Sequence, residues 1–122
     1  MNLNIGNDII ETKRIEHLCK KYNERFKNRI FTVNEIEYCE GKGVNKYQSY
    51  AARFAAKEAI FKAISNILSN KYKIEWKDIE IINDKNGKPY VNINNIECAY
   101  SVEISMSHVK EYAIATALAI IE

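Results

Sequence analysis

The sequence predicts an α+β fold in which a small antiparallel sheet packs on one long central helix. Two patterns carry that expectation. Gln48 to about Asn70 reads as the helix: Ile60, Ile64, Ile67 and Leu68 recur at helical spacing, and Ala51, Ala52, Ala55, Ala56, Ala59 and Ala63 keep its other sides small. Tyr112 to Ile121 reads as a strand that alternates in size, with Tyr112, Ile114, Thr116, Leu118 and Ile120 on one face and Ala113, Ala115, Ala117 and Ala119 on the other. Alanine adds little bulk to the backbone, so an alanine face and an alanine-rich helix can approach closely and form two layers.

The remaining elements follow in chain order. Leu3, Ile5 and Ile9 suggest a short opening strand, with Asp8 and Glu11 at or just past its end. Thr12 can cap a helix running to about Arg29. Thr32-Val33-Asn34-Glu35 is a capping box that opens a short second helix, which Gly41 and Gly43 stop. Ile79 to Asn83 and Tyr90 to Ile93 read as strands, joined by the turn residues Asp84-Lys85-Asn86-Gly87, with Pro89 opening the second. Ala99 to Ile104 is a further strand, and Ser105 to His108 reads as a loop before the last one.

With 122 residues, 47% hydrophobic and 28% charged, the chain suits one globular domain spanning 1–122. A net charge of +2 is too small to argue nucleic-acid binding. No apolar run approaches the ~20 residues that span a bilayer. The first ten residues lack the basic and apolar regions of a signal peptide. Cys19, Cys39 and Cys98 are odd in number and form no C-x-x-C pair, so they read as buried free thiols in a reducing compartment. A cytoplasmic protein is expected.

Four features could carry chemistry. On the long helix, Glu58 and Lys62 share one face and Arg53 and Lys57 another, which runs on into the apolar stripe. A lysine so placed needs an anion nearby, or else snorkels past its neighbours. Asp8, beside Gly6, could meet Glu58 across the fold, and two carboxylates suffice for Mg²⁺ when phosphates and waters complete its shell. As a plain strand-end acid it would instead only help to cap the next helix. Ser105-Met106-Ser107-His108 offers hydroxyls and an imidazole to a phosphate or a proton, or is an ordinary polar turn. Arg14, Lys21, Arg25 and Arg29 fall within a sector of roughly 80° on the first helix. They lie beside the apolar Ile15, Cys19, Tyr22, Phe26 and Ile30, with Lys13, Lys20 and Lys27 on the far side. Arginine at the edge of apolar area favours an acidic protein partner, with RNA phosphate as the rival.

Together these segments resemble the short, single-domain 4′-phosphopantetheinyl transferases, the holo-acyl-carrier-protein synthases. The motifs are Gly6-Asn7-Asp8-Ile9-Ile10-Glu11, Arg53-Phe54-Ala55-Ala56-Lys57-Glu58-Ala59, Asn86-Gly87-Lys88-Pro89, and Ser105-Met106-Ser107-His108 followed by Tyr112-Ala113-Ile114-Ala115. Their order and intervals cover nearly the whole chain. Between Ser65 and Lys73, where that family commonly has a glycine-rich turn, there is no glycine.

The resemblance implies a homotrimer with active sites between subunits, serving fatty-acid synthesis by loading apo acyl carrier protein from coenzyme A. Asp8 and Glu58 would hold Mg²⁺ with the coenzyme A pyrophosphate. Arg53, Lys57 and Lys62 would contact phosphates, so that a phosphate is the anion Lys57 needs. Asn86, Gly87 and Pro89 would wall the adenosine end. Ser107 and His108 would approach the phosphates from an adjoining subunit. Arg14, Lys21, Arg25 and Arg29 would grip an acidic carrier helix. Glu58 is the first candidate for the catalytic base and His108 the second. Two other readings use the same residues. One is a different Mg²⁺-dependent phosphoryl-transfer enzyme. The other is a non-catalytic module whose basic helix docks an acidic protein or RNA.

Overall fold

A computed structural model describes residues 2–65, 74–94 and 100–121 of the chain. Its elements are β1 (Asn2–Glu11), α1 (Thr12–Tyr22), α2 (Glu24–Ile30), α3 (Val33–Glu40), α4 (Lys46–Ile64), β2 (Ile79–Asn83), β3 (Pro89–Ile93), β4 (Tyr100–His108) and β5 (Tyr112–Ile121). The expected α+β class is what forms. β1, β5 and β4 make one antiparallel sheet in that order, and β2 and β3 make a two-stranded hairpin. The stripe positions Ile67 and Leu68, the glycine-free segment from 66 to 73, and Cys98 lie outside the described residues.

The alanine pattern sets the spacing of the layers. Ala113, Ala115, Ala117 and Ala119 of β5 are buried against α4, whose alanines at 51, 52, 55, 56, 59 and 63 are buried in turn. The closest approach is at Gly6 of β1, where an added Cβ would stand 2.0 Å from the Ala59 carbonyl oxygen. Strand backbone therefore rests on helix backbone, and only glycine fits.

That approach sets which face of β1 turns inward, and the strand is longer than expected. The strand is ten residues long, and Leu3, Ile5 and Ile9 point away from the helix at 62%, 72% and 63% exposure. Asn4, Gly6, Asp8 and Ile10 take the inner face, with Gly6 at the close contact and Ile10 buried in the core beyond it. Asp8 is thus inside the strand, paired with Ala115, and not at its end.

Three other expectations change. The first helix is two: Asn23, at φ 52°, breaks it between α1 and α2. Asparagine enters that left-handed region more readily than most residues. Thr12 does not cap it. Thr12 is the first helical residue, its hydroxyl is buried without a hydrogen-bond partner among the described residues, and its N–H donates to the Glu111 carbonyl at 2.8 Å. Third, Ser105 to His108 is the end of strand β4, not a loop. The capping box at Thr32 and Glu35 forms with both of its hydrogen bonds, as expected. Cys19 and Cys39 are buried free thiols, and burial pushes both up to about 11, which keeps them protonated and unreactive.

Lys57 is wholly buried, and its anion is a protein carboxylate. Its ammonium donates to Glu35 Oε1 at 2.7 Å, to the Ile30 carbonyl at 2.7 Å and to the Trp76 carbonyl at 3.1 Å. All three donors are thereby used. Burial lowers its affinity for the proton, and the Glu35 charge opposes that shift. Glu35 Oε1 also accepts the Thr32 N–H at 2.8 Å, and Oε2 accepts the Ile81 N–H at 2.9 Å. One ion pair thus ties the end of α2, the start of α3, the middle of α4 and strand β2.

Removing one member of such a pair leaves a buried, unpaired charge. Lys57→Met should lower the unfolding free energy by about 3–5 kcal/mol. Glu35→Gln combined with Lys57→Met should cost less than the two single changes summed. Urea titrations at one protein concentration check this, and simple additivity would contradict it.

Candidate active site

The close packing of β1 on α4 brings two acids to one place. Asp8 faces the helix from β1, and its Oδ1 accepts from Lys62 Nζ at 3.2 Å. The same ammonium donates to the Asn7 carbonyl at 2.9 Å. Glu58, one helical turn before Lys62, is half-buried. Burial raises its carboxyl above the ordinary value, the Asp8 charge raises it further, and Lys62 and Arg14 pull it back. Two carboxylates and two cations therefore share one electrostatic neighbourhood, formed by β1, the first turn of α1 and the last turns of α4.

Among the described residues no group of three His, Cys, Asp or Glu side chains converges. A cation here would have two carboxylates from this chain. That suits Mg²⁺, which takes one or two carboxylates and fills its octahedron with water and substrate phosphate. It does not suit a structural zinc, which needs four protein ligands. Asp8 and Glu58 are hard oxygen donors that repel each other when both are ionised, so the pair fits a divalent ion.

A second assembly lies at the other end of α4. A cleft of about 380 Å³ is lined by Lys42, Gln48, Arg53, Gly87, Pro89 and His108, among others, and has no acidic residue in its wall. Arg53 is held there by a hydrogen bond to Asn83 Oδ1 and by the Tyr38 ring, 4.0 Å from its guanidinium carbon. Its Nε is buried without a hydrogen-bond partner among the described residues. The β2–β3 turn fixes the opposite wall: Asp84 accepts the N–H groups of Asn86 and Lys88, and Gly87 takes φ 84°, which disfavours a side chain. His108 Nδ1 is 3.1 Å from Gln48 Oε1.

The residues singled out in the sequence separate accordingly. Asp8, Glu58, Lys62 and Arg14 come together. Arg53, Gly87, Pro89 and His108 come together elsewhere. Glu58 and Gln48, the partner of His108, are ten residues apart on α4, or roughly 15 Å. Asn86 is in the turn but outside the cleft wall. Ser107 alternates with Met106 and His108 along β4, and those two line the cleft while Ser107 is exposed on the other face. Lys57 is removed from the phosphate-binding set, because Glu35 already neutralises it inside the core.

The basic residues Arg14, Lys21, Arg25 and Arg29 are all exposed. They do not share one helical stripe, since the break at Asn23 divides them between α1 and α2. Lys27 is not on a far side: its ammonium is 3.2 Å from Glu40 and sits over the Tyr50 ring. Lys42, Asn45, Gln48 and Asn83 went unnoticed in the sequence. A cluster of polar side chains just ahead of an alanine-rich helix was the available signal.

Comparison with known proteins adds the following. A sequence model of the 4′-phosphopantetheinyl transferase superfamily matches residues 4–117. The chain is 47% identical over 122 residues to a holo-[acyl-carrier-protein] synthase of Protochlamydia amoebophila, covering 97% of this chain and 98% of that one. It is 40% identical over 125 residues to the protein of the same name from Ruminiclostridium cellulolyticum, covering 97% and 92%. A crystal structure of a holo-(acyl-carrier-protein) synthase from Bacillus anthracis, in complex with CoA (3′,5′-ADP), superposes with TM-score 0.80 at 38% identity over 98% of this chain and 96% of that one.

The electrostatics of Glu58 make a stability prediction. An acid whose folded value is raised binds its proton more firmly in the folded state. Between the ordinary and the raised value, stability therefore falls as pH rises, and the ionised form carries that cost at neutral pH. Glu58→Gln should melt higher than the parent at neutral pH in EDTA, and the gap should close below the ordinary carboxylate range. A variant that melts lower at neutral pH would contradict the assignment.

Proposed function

The chain belongs to the 4′-phosphopantetheinyl transferase superfamily, and we infer that it moves 4′-phosphopantetheine from coenzyme A to a serine of apo acyl carrier protein. Holo acyl carrier protein and adenosine 3′,5′-bisphosphate are the products. The observation that carries the site assignment is Asp8 turned toward α4 and accepting from Lys62, one helical turn from Glu58, whose carboxyl is raised by burial and by the Asp8 charge.

The carrier serine oxygen bonds to the β-phosphorus, and the bond from that phosphorus to the bridging oxygen of the bisphosphate breaks. Asp8 and Glu58 are the residues that would hold Mg²⁺, which offsets charge on the phosphoryl group and the leaving group when bound. Lys62 adds a positive charge to the same side and contacts phosphate oxygens. Glu58, with its raised proton affinity, is the first candidate to take the serine proton, through a water. Arg53 and Lys42 attract the nucleotide end, with Gly87 and Pro89 as the wall beside it. Positioning supplies much of the remaining rate enhancement.

His108 belongs to the nucleotide half in this reading, not to the proton transfer. The separation of the two halves on one chain supports active sites built between subunits, as does the apolar outer face of the sheet. There Leu3, Ile5 and Ile9 of β1 pair with Ile120, Leu118 and Ile114 of β5, and Ile114 is 41% exposed. Such a face calls for a partner, and a homotrimer is the assembly we propose. Ser107 would reach a neighbouring site from that face. Arg14 stands next to Glu58 and, with Lys21, Arg25 and Arg29, would steer an acidic carrier helix toward the metal half. No helix among the described residues is long and apolar enough to cross a membrane. We read the chain as a single transferase domain acting in the cytoplasm.

The test is direct. Apo carrier protein incubated with the enzyme, coenzyme A and Mg²⁺ should gain the mass of one phosphopantetheine. Asp8→Ala or Glu58→Ala should lower that rate on the order of a hundredfold or more, as expected for losing several kcal/mol of charge stabilisation. Full activity in EDTA would overturn the metal assignment. No mass gain, with salt-sensitive RNA binding instead, would favour a basic binding module.

A further inference from the structure

The cleft between Arg53 and His108 contains a short hydrogen-bond chain, from which we propose that Gln48 is a positioning residue that fixes the tautomer of His108 and aims its Nε2 at the nucleotide phosphates. The inference rests on the reading that this cleft takes the nucleotide end of coenzyme A.

The chain runs from Asn45 through Gln48 to His108. Gln48 Nε2 donates to Asn45 Oδ1 at 3.3 Å, with the other end of the amide turned to the imidazole. The end that remains is Oε1, 3.1 Å from His108 Nδ1. A carbonyl oxygen only accepts, so Nδ1–H stays on Gln48; a phosphate also only accepts, so it is met by the imidazolium form, whose Nε2–H donates to it.

Both ends of the relay are anchored. Gln48 and Asn45 flank the start of α4, and His108 closes β4 opposite Ala113, which is buried against that helix. Lys42 and Arg53 line the same cleft and no carboxylate does, so an anion is the ligand chemistry that the wall selects. Gln48 is also uncharged. It can orient the ring without placing a negative charge where a phosphate must sit, unlike the aspartate behind a hydrolase histidine. Without it, the ring could turn and offer either nitrogen.

The sequence makes the test clean, because the chain has only two histidines, His17 and His108. Long-range ¹H–¹⁵N spectra of the unliganded protein should show His108 protonated at Nδ1 and not at Nε2. Gln48→Met keeps the length and removes the acceptor. It should give a mixture of tautomers and weaken coenzyme A and adenosine 3′,5′-bisphosphate alike, by about tenfold, the scale of one well-placed hydrogen bond. The turnover rate at saturating coenzyme A should stay within about twofold. Gln48→Glu retains an acceptor and should keep the wild-type tautomer, although its added charge repels the phosphate. The proposal is overturned if Gln48→Met leaves the tautomer and both affinities unchanged, or if it weakens coenzyme A but not the bisphosphate. Wild-type protein that binds neither ligand would sink the transferase reading. The tautomer signal, measured without ligand, would still decide the Gln48–His108 bond separately.

Discussion

A strand backbone lying directly on a helix backbone, at Gly6 of β1 against Ala59 of α4, is the constraint from which the rest of the structure follows. It requires glycine at the contact and alanine around it. It turns the large side chains of β1 and β5 outward, which gives the sheet an apolar outer face. It also carries Asp8, two residues beyond Gly6, to the side of α4 where Glu58 and Lys62 stand. Burial first, and the Asp8 charge second, raise the proton affinity of Glu58, so holding its ionised form here is costly. A fold keeps such a pair where a cation offsets the repulsion. Lys62 does so partly, through its contact with Asp8.

The second organising interaction is the buried pair of Lys57 and Glu35. It looks catalytic from the sequence, because a lysine beside a glutamate on an alanine-rich helix invites a phosphate. Its geometry says otherwise. All three ammonium donors are used inside the protein, and the carboxylate also caps α3 and receives the β2 backbone. The pair positions the site from behind. It fixes α4 against α3 and the β2–β3 hairpin, and the cleft that holds Arg53 lies between those elements.

The fold was legible where one residue type answered one physical need. The alanine alternation of β5 and the alanines of α4 are two sides of one contact. The box at Thr32 and Glu35 and the turn before Gly87 are local hydrogen-bond devices. What escaped was non-local or inverted. Glu35 meets Lys57 across 22 residues, and spacing along one helix cannot reveal a partner on another. Leu3, Ile5 and Ile9 marked a strand but not which way it faces, and the close helix turns them outward. The period-two run Val102, Ile104, Met106, His108 was available in the sequence and would have extended β4 through the supposed loop. The break at Asn23 had no glycine or proline to announce it. The residues proposed for a site were visible in the sequence, but their separation into two clusters along α4 needed three dimensions.

We propose that two carboxylates fifty residues apart in sequence would hold a divalent cation, with the phosphates of coenzyme A completing its shell. The most direct measurement is a crystal structure of the protein loaded with Mn²⁺ and coenzyme A, read by the anomalous signal of the metal. A manganese peak is expected between the carboxylates of Asp8 and Glu58, with Lys62 turned from Asp8 toward phosphate. A peak elsewhere, or carboxylates that face away from the bound cation, would contradict it.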